Sequence, residues 1–251
     1  SVSRSAIGQC RLAAGFLMET ESVVQVTGRP PRQLRMNSDG GEFIGVDFEA
    51  RNILAVAVDF SDRPLRNSHK LIEDGDTVPQ IIAKIEAAIA EVLPGTPGKL
   101  LAIGVGVPGI VDSARGIAVQ YKYIANWQNV PLASHLTKRF EVPVFLENNV
   151  RSMALAEMWF GQGKGIRDFL CIGIRSGIGV GIVLNGRIYR GSRFGAGELG
   201  RWRAAFDEAG EPAVAGCARP TGALAIACLA SCSMPIRPLP CCAMRAIWLR
   251  S

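Results

Sequence analysis

Phe43-Ile-Gly-Val-Asp-Phe48 opens the part of the sequence that specifies the architecture most directly. This short apolar run predicts a buried strand, and residues 53–60 and 65–72 predict two more, separated by polar turns. Residues 77–93 carry apolar side chains at helical spacing, and residues 100–107 form a further apolar run. Three strands, a helix and a fourth strand are typical of an α/β layer with hairpins at one edge.

A looser version of this pattern returns further along the chain. We expect two helices and three strands, at residues 132–140 and 150–160, and at residues 142–146, 168–174 and 179–184. Because the second set of strands begins near residue 142, the sequence predicts two α/β lobes with a cleft between them. Ligands bind to such sheets in crevices at the carboxyl ends of the strands.

Length and composition exclude several classes of protein. The 251 residues are 48% hydrophobic and 20% charged, which is ordinary for a globular chain and unlike a disordered or fibrous one. No apolar run approaches the roughly 18 residues of a membrane-spanning helix, and no secretory leader is visible. Seven cysteines, an odd number without a C-x-x-C pair, indicate reduced thiols. We therefore expect a cytoplasmic protein without a membrane partner, and the start at Ser1 instead of Met indicates a fragment.

The net charge of +6 is concentrated at the two ends of the chain. Residues 1–35 contain five arginines and two glutamates, and residues 216–251 contain four arginines and no carboxylate. Residues 3–13 predict a short helix, and Gly28-Arg-Pro-Pro-Arg32 predicts a rigid basic loop. Two interpretations fit this pattern: the second half of a winged helix-turn-helix, or an irregular basic leader. The cysteine- and proline-rich tail after residue 216 matches neither a helix nor a strand, and an upstream reading-frame change is one explanation.

Several polar side chains stand where a ligand could meet them. Glu147-Asn148-Asn149 lies between a predicted strand and a helix, where the amides either bind sugar hydroxyls or cap the helix. Glu198 lies in a glycine-rich loop, as a hydroxyl acceptor or a solvated side chain. Asn126-Trp127 is either a sugar-binding pair or a core tryptophan with its cap.

Two glycine-rich runs also stand out, at residues 104–109 and 176–181. Each is either a tight turn or a place where backbone N–H groups approach phosphate or sugar. Neither run opens a helix, as the fingerprint of a dinucleotide site requires, so the sequence argues against a Rossmann site.

Seven sequence elements, taken in order, resemble the ROK family of sugar-responsive repressors and sugar kinases. They are Ile44-Gly-Val-Asp47, Gly104-Val-Gly-Val-Pro-Gly-Ile-Val-Asp112, Asn126-Trp127, Pro143-Val-Phe-Leu-Glu-Asn148, Ala154-Leu-Ala-Glu157, Gly177-Ile-Gly-Val-Gly181 and Gly197-Glu-Leu-Gly200. The resemblance implies an α/β fold of the two-lobed, actin-like ATPase (RNase-H-like) class. Residues 3–7 and 28–31 resemble the recognition helix and wing of the repressor branch. The implied organisation is a partial winged helix-turn-helix (1–37), a first lobe (42–125), an incomplete second lobe (126–215) and an atypical tail (216–251).

Two departures from the family pattern favour the repressor branch over the kinase branch. Family kinases follow the first strand with Asp-x-Gly-Gly-Thr, whose small residues admit ATP phosphates, whereas here Phe48, Glu49 and Arg51 are expected to fill that space. Family kinases also carry Glu-Asn-Asp, whose Asp is the catalytic base. Asn149 occupies that position and cannot accept a proton at neutral pH. We therefore expect no catalytic residue, and an ATP-dependent sugar kinase stays the alternative.

The resemblance also implies a set of binding residues and partners. The sugar effector would contact Gly109, Asn126, Asn148, Asn149 and Glu198. Operator DNA would contact the N-terminal residues Arg4, Ser5, Gln9, Arg29 and Arg32, as part of a homodimer or higher homo-oligomer.

The family's structural zinc site is expected to be lost, and no cofactor is expected. The family pattern is Gly-Glu-x-Gly-His followed by a cysteine cluster. Arg201 stands at the histidine position, and only Cys217 lies near the start of the cluster.

Overall fold

The computed structural model describes residues 15–20, 33–49, 51–96, 99–174, 178–198 and 226–229. The strands in this part of the chain are β1 (Leu17–Thr20), β2 (Gln33–Met36), β3 (Glu42–Phe48), β4 (Asn52–Asp59), β5 (Pro64–Leu71), β6 (Leu100–Val107), β7 (Ile110–Asp112), β8 (Ile117–Gln120), β9 (Gln128–Val130), β10 (Val144–Asn148), β11 (Phe169–Ile174), β12 (Ile178–Leu184), β13 (Arg187–Tyr189) and β14 (Ile226–Leu229). The α-helices are α1 (Val78–Glu91), α2 (Leu132–Phe140) and α3 (Asn149–Phe160), and a short 3-10 helix spans Ser38–Gly40.

The first sheet has the order β10-β6-β3-β4-β5. Strands β3, β4 and β5 form the antiparallel meander that the sequence predicts, and α1 then returns the chain so that β6 runs parallel to β3. Helix α1 begins after Thr77, whose backbone N–H donates to the Gln80 side chain at 2.8 Å. Its apolar face, with Ile81, Ile85 and Ile89 fully buried, packs in the same core as the sheet.

A small three-stranded sheet, β7-β8-β9, follows β6 and was not among the sequence predictions. Its buried residues Val111, Ala118 and Val130 belong to the same core as the first sheet. Strands of three or four residues carry too few alternating positions to show a period in the sequence. This sheet extends the first lobe towards the carboxyl ends of β6 and β10.

The second sheet begins further along the chain than the expected lobe boundary between residues 125 and 126. Strand β10 lies parallel to β6 in the first sheet instead of opening a second one. Leu136 of α2 and Leu146 of β10 are buried in the first core, which is why this segment stays with the first lobe. The second sheet therefore starts with β11, and its order is β13-β12-β11-β14.

The second sheet holds one confirmed element and one further difference from expectation. The expected strand at residues 179–184 is present as β12, and α3 approaches its glycines so closely that a Cβ at Gly181 would lie 2.5 Å from the Ala154 Cβ. The tail was expected to lack regular structure, but Ile226–Leu229 forms β14 and pairs in parallel with β11. Adding a strand to the edge of β11 satisfies its backbone groups, which sequence periodicity does not report.

The N-terminal ribbon, β1 paired antiparallel with β2, is attached to the first sheet. Asn37 donates from Nδ2 to the Gly15 carbonyl at 2.7 Å, and from its backbone N–H to the Phe16 carbonyl at 3.0 Å. The Phe16 ring lies 5.6 Å from the Phe60 ring at the end of β4. The expected helix at 3–13 and the basic loop at 28–32 lie outside the described residues. None of the helices described is long and apolar enough to cross a membrane.

Candidate functional site

A cleft opens at the carboxyl ends of β6 and β10, where residues of the first and second sheets face each other. Its walls are formed by the turn after β6, the segment after β8, the β10–α3 junction, β11–β12 and the loop after β13. These walls comprise Pro108 and Gly109, Gln120–Tyr123, Asn148–Val150, Gly173 and Ile178–Val180, and Ala196–Glu198. Four of the five residues expected to bind a sugar, namely Gly109, Asn148, Asn149 and Glu198, thus line one cleft.

Asn126 is the predicted sugar-binding residue that lies elsewhere. It lines a second cavity, which adjoins the cleft at Tyr123, together with Arg51, Asp74 and Thr77. Its φ of 61° is left-handed, a conformation that asparagine adopts more readily than most residues, and its carbonyl accepts from the Gln128 N–H at 2.9 Å. These observations fit a turn residue preceding β9.

Asn148 caps helix α3 and also ties it to the turn after β6. Its Oδ1 accepts from the backbone N–H groups of Val150 at 3.0 Å and Arg151 at 3.1 Å. Its Nδ2 donates to the Gly109 carbonyl at 2.8 Å. The capping interpretation is therefore confirmed, and the side chain, 6% exposed, keeps one amide hydrogen for a ligand.

Gly109 is required by the geometry of the turn that it forms. Its φ is 79°, and a Cβ at this position would lie 2.2 Å from the Gln120 carbonyl oxygen. Any other residue would push the segment after β8 away from the cleft. The turn therefore holds two walls of the cleft together.

Asn149 begins helix α3 beside Asp47, a carboxylate of β3. Its Oδ1 accepts from the Val150 N–H at 2.9 Å. A Cβ placed on Gly106 would lie 3.6 Å from both the Asn149 Cβ and the Asp47 Oδ1, so these two residues face each other across Gly106. Asn149 thus brings a hydrogen-bonding amide, and no proton acceptor, to the floor of the cleft.

Glu198 is carried by a loop that docks on β12. The Gly197 carbonyl accepts from the Val180 N–H at 2.8 Å. Gly197 has a φ of 85°, and a Cβ there would lie 1.7 Å from the Val180 carbonyl oxygen, so only glycine fits. This contact brings Glu198 to the wall of the cleft that also contains Val180.

The hairpin between β3 and β4 corrects one expectation about the phosphate loop. Phe48 does not fill that space, because its side chain is fully buried with its ring 5.0 Å from the Trp127 ring. The tight turn closes with the Glu49 N–H donating to the Asn52 carbonyl at 2.8 Å. Arg51, exposed at the tip, pairs with Asp74 at 3.3 Å. Of the three side chains expected in the loop, Glu49 and Arg51 belong to it.

Two parts of the site were not anticipated from the sequence. The first is Tyr121-Lys122-Tyr123, in which the two rings pack edge to face at 5.5 Å and the Lys122 ammonium lies 4.8 Å from the Tyr123 ring. Alternating aromatic and basic residues were the available signal for a binding wall. The second is a buried cluster of charged groups around Glu147.

The Glu147 cluster consists of Glu147, Arg151, Arg190 and Ser113. Glu147 Oε1 accepts from Arg151 Nε at 2.7 Å, from Ser113 Oγ at 2.9 Å and from its neighbour's backbone N–H at 2.9 Å. Its Oε2 accepts from Arg190, with Nε at 2.9 Å and a terminal nitrogen at 2.7 Å. Burial alone would raise the pKa of Glu147, but the two guanidinium groups outweigh it and hold the pKa below its usual value of 4.5.

The remaining predicted functional residues lie outside the described part of the chain. These are the residues expected to contact DNA, Arg4, Ser5, Gln9, Arg29 and Arg32, and the zinc-related positions Arg201 and Cys217. Within the described residues, no group of three or more His, Cys, Asp or Glu side chains is arranged to hold a metal ion.

Comparison with known proteins identifies relatives on both branches of one family. The model of the ROK family matches residues 43–224, well over half of the chain. The xylose repressor of Caldicellulosiruptor bescii is 29% identical over 197 residues, which cover 77% of this chain and 49% of the repressor. The chain therefore spans about half the length of this relative.

Solved structures show the same fold. A ROK family glucokinase from Streptomyces griseus, in complex with glucose and AMPPNP, is 32% identical with a TM-score of 0.60, covering 66% of this chain and 51% of that one. A ROK family transcriptional regulator, a homologue of the E. coli MLC protein, is 23% identical with a TM-score of 0.63, covering 83% and 54%.

Proposed function

The chain belongs to the ROK family and has its two-lobed, actin-like α/β fold, and from this premise we propose that it is a sugar-responsive transcriptional regulator and not a sugar kinase. One observation carries the proposal. The cleft combines groups that bind hydroxyls with an amide, Asn149, at the position where the family's kinases carry their base.

The cleft has the chemistry that sugar hydroxyls need. A hydroxyl both donates and accepts, and the Asn149 amide offers both functions, while the Glu198 carboxylate accepts. The remaining Asn148 amide hydrogen adds a donor near the Gly109 turn. Tyr121 and Tyr123 add aromatic surface for the apolar face of a sugar ring.

The same cleft is poorly equipped for phosphoryl transfer. An amide at position 149 cannot take the proton of an attacking hydroxyl. At the hairpin tip, Glu49 adds a carboxylate that opposes a phosphate, and the Arg51 guanidinium is paired with Asp74. Loss of the base and obstruction of the phosphate loop are independent, so both would have to be repaired before a kinase resulted.

DNA binding is assigned to the N-terminal segment. Residues 21–32, which include Arg29 and Arg32, connect the two strands of the ribbon, as a wing would. Arg4, Ser5 and Gln9 would belong to the recognition helix, and Arg29 and Arg32 would contact phosphates or a minor groove. The packing of Phe16 against Phe60 connects the ribbon, and so the N-terminal segment, to the first lobe.

The complete regulator is proposed to be a cytoplasmic homodimer or higher homo-oligomer that reads operator DNA. No cofactor and no zinc are assigned to it. Sugar binding would change DNA affinity only if the effector favours one arrangement of the lobes over the other. The xylose repressors among its relatives make D-xylose the first effector to test, and D-glucose the second.

Calorimetric titration of the chain with D-xylose, D-glucose and N-acetylated hexoses, with and without Mg-ATP, tests the proposal. We expect binding heat from one of these sugars and no sugar-dependent ATP turnover. Phosphorylation of the bound sugar would move the protein to the kinase branch. Absence of binding by a folded sample would contradict a sugar effector from this panel.

A further inference from the structure

The loop after β13, residues 190–198, carries Glu198 to the cleft. Two residues of this loop, Arg190 and Phe194, are hydrogen-bonded to the Glu147 cluster. Arg190, its first residue, places two guanidinium nitrogens on Glu147 Oε2, at 2.9 and 2.7 Å. The Phe194 carbonyl, midway along the loop, accepts from a terminal nitrogen of Arg151 at 2.9 Å.

Both anchors converge on the junction that positions the other half of the site. Glu147 directly precedes Asn148 and accepts from its backbone N–H at 2.9 Å, and Arg151 lies in the first turn of α3. Arg151 also donates to the Val111 carbonyl at 3.2 Å, and Ser113 donates to Glu147 at 2.9 Å, which connects the small sheet of the first lobe. One buried carboxylate, 1% exposed, therefore joins two walls of the cleft, the loop after β13 and the β10–α3 junction, to the small sheet of the first lobe.

We propose that Arg190 is a positioning residue that fastens the Glu198 loop to the β10–α3 junction and so sets the distance between the two halves of the sugar site. The expected effect of Arg190 on sugar affinity rests on the proposed function, whereas its expected effect on the loop does not. Arg190 does not line the cleft, so it acts through Glu198 and not on the sugar.

Arg190 suits this role better than Arg151 because its side chain is 40% exposed, whereas that of Arg151 is 2% exposed. Removing a half-exposed arginine leaves Glu147 paired with Arg151 and the cores of both lobes intact. Arg187, three residues earlier, is exposed and forms no ion pair with any residue that the structure describes. Arg187→Met is therefore a matched control for Arg190→Met.

Hydrogen exchange of the sugar-free protein tests the tether first. We expect Arg190→Met to accelerate exchange of the amides of Ala196 and Glu198 about tenfold, the range of one charge-assisted hydrogen bond, and Arg187→Met to leave them unchanged. Arg190→Lys should restore protection only in part, since an ammonium cannot reproduce the two-nitrogen contact. Equal exchange in Arg190→Met and Arg187→Met would overturn the proposal.

Sugar titration then tests the consequence. We expect Arg190→Met to weaken binding of the sugar identified above about tenfold in the wild-type background and by much less in a Glu198→Gln background, because the effect passes through Glu198. Equal loss in both backgrounds would contradict positioning through Glu198. If the wild-type chain binds no sugar while Arg190→Met still loosens the loop, the proposed function fails and the tether stands.

Discussion

Replacement of Arg151 by methionine perturbs the most buried charge pair of the described structure. The Arg151 and Glu147 side chains are 2% and 1% exposed, and Nε lies 2.7 Å from Oε1. The substitution also removes the donors to the Val111 and Phe194 carbonyls, at 3.2 and 2.9 Å. What it leaves behind is a buried carboxylate whose remaining charged partner is the half-exposed Arg190.

The expected cost follows from that geometry. Removing one partner of a buried ion pair costs about 3–5 kcal/mol, because the other charge stays buried without compensation. Arg190 keeps the Glu147 charge partly neutralised, which places the expected loss near the lower end, about 3 kcal/mol. Methionine retains much of the side-chain volume, so a cavity adds little to this value.

Urea unfolding of purified variants measures the loss. Arg139→Met is the matched control, since Arg139 is exposed on α2 and the substitution removes an exposed cation–π contact with the Phe140 ring at 5.4 Å, so it should change the free energy of unfolding by no more than about 1 kcal/mol. The double variant Glu147→Gln/Arg151→Met should regain about 1–3 kcal/mol, because a neutral amide tolerates burial better than an unpaired carboxylate. If Arg151→Met were no more destabilising than Arg139→Met, the cluster would not hold the lobes together as argued.

Three further predictions concern Glu147, Gly197 and Asn149. Because the folded pKa of Glu147 lies below 4.5, the stability that its charge contributes is complete above about pH 4.5 and is lost as the pH falls towards the folded pKa. Urea unfolding of Glu147→Gln between pH 6 and pH 3 should therefore show a smaller decrease in the free energy of unfolding than wild type shows. An equal decrease in the two proteins would contradict this. Gly197→Ala should lower the free energy of unfolding by at least about 2 kcal/mol, because the position has a positive φ and the new Cβ would lie 1.7 Å from a carbonyl oxygen. The control Gly195→Ala, whose Cβ would have no neighbour closer than 4.0 Å, should stay within about 0.5 kcal/mol of wild type in thermal unfolding. Asn149→Asp should not yield a sugar kinase in a coupled ATP assay, because Glu49 and Arg51 still obstruct the phosphate loop; turnover comparable to that of family kinases would refute this.

The sequence predicted the first lobe well where burial is continuous. Strand β6, at Leu100–Val107, has the limits predicted, because all its inward and outward positions are apolar and the run is bounded by Lys99 and Pro108. Helix α2, at Leu132–Phe140, was equally clear from its amphipathic spacing. Strand β10 shows the limit of this reasoning: its apolar run reveals a strand, but only tertiary packing decides which sheet it joins.

The site was predicted from motif resemblance and not from periodicity. Gly109, Asn148, Asn149 and Glu198 lie together because strand ends and tight turns converge at one edge of the sheets. The resemblance implies Asn126 as well, but its left-handed backbone belongs to the turn before β9, and it lines the cavity that contains Arg51 and Asp74. Only the Glu147–Arg151 pair of the buried cluster, four residues apart, is close in sequence. Ser113 and Arg190 lie 34 and 43 residues from Glu147, so only the folded chain brings them to it.

The most direct test of a sugar site in the cleft is one calorimetric comparison of the wild-type chain with Glu198→Gln and Asn126→Gly, titrated with D-xylose and D-glucose. Glycine accepts the left-handed conformation at position 126, so that variant should fold normally. We expect Glu198→Gln to weaken sugar binding about tenfold or more, as loss of a charge-assisted hydrogen bond does, and Asn126→Gly to bind within about twofold of wild type. Undiminished binding by Glu198→Gln, with loss of binding by Asn126→Gly, would place the sugar elsewhere and contradict the account.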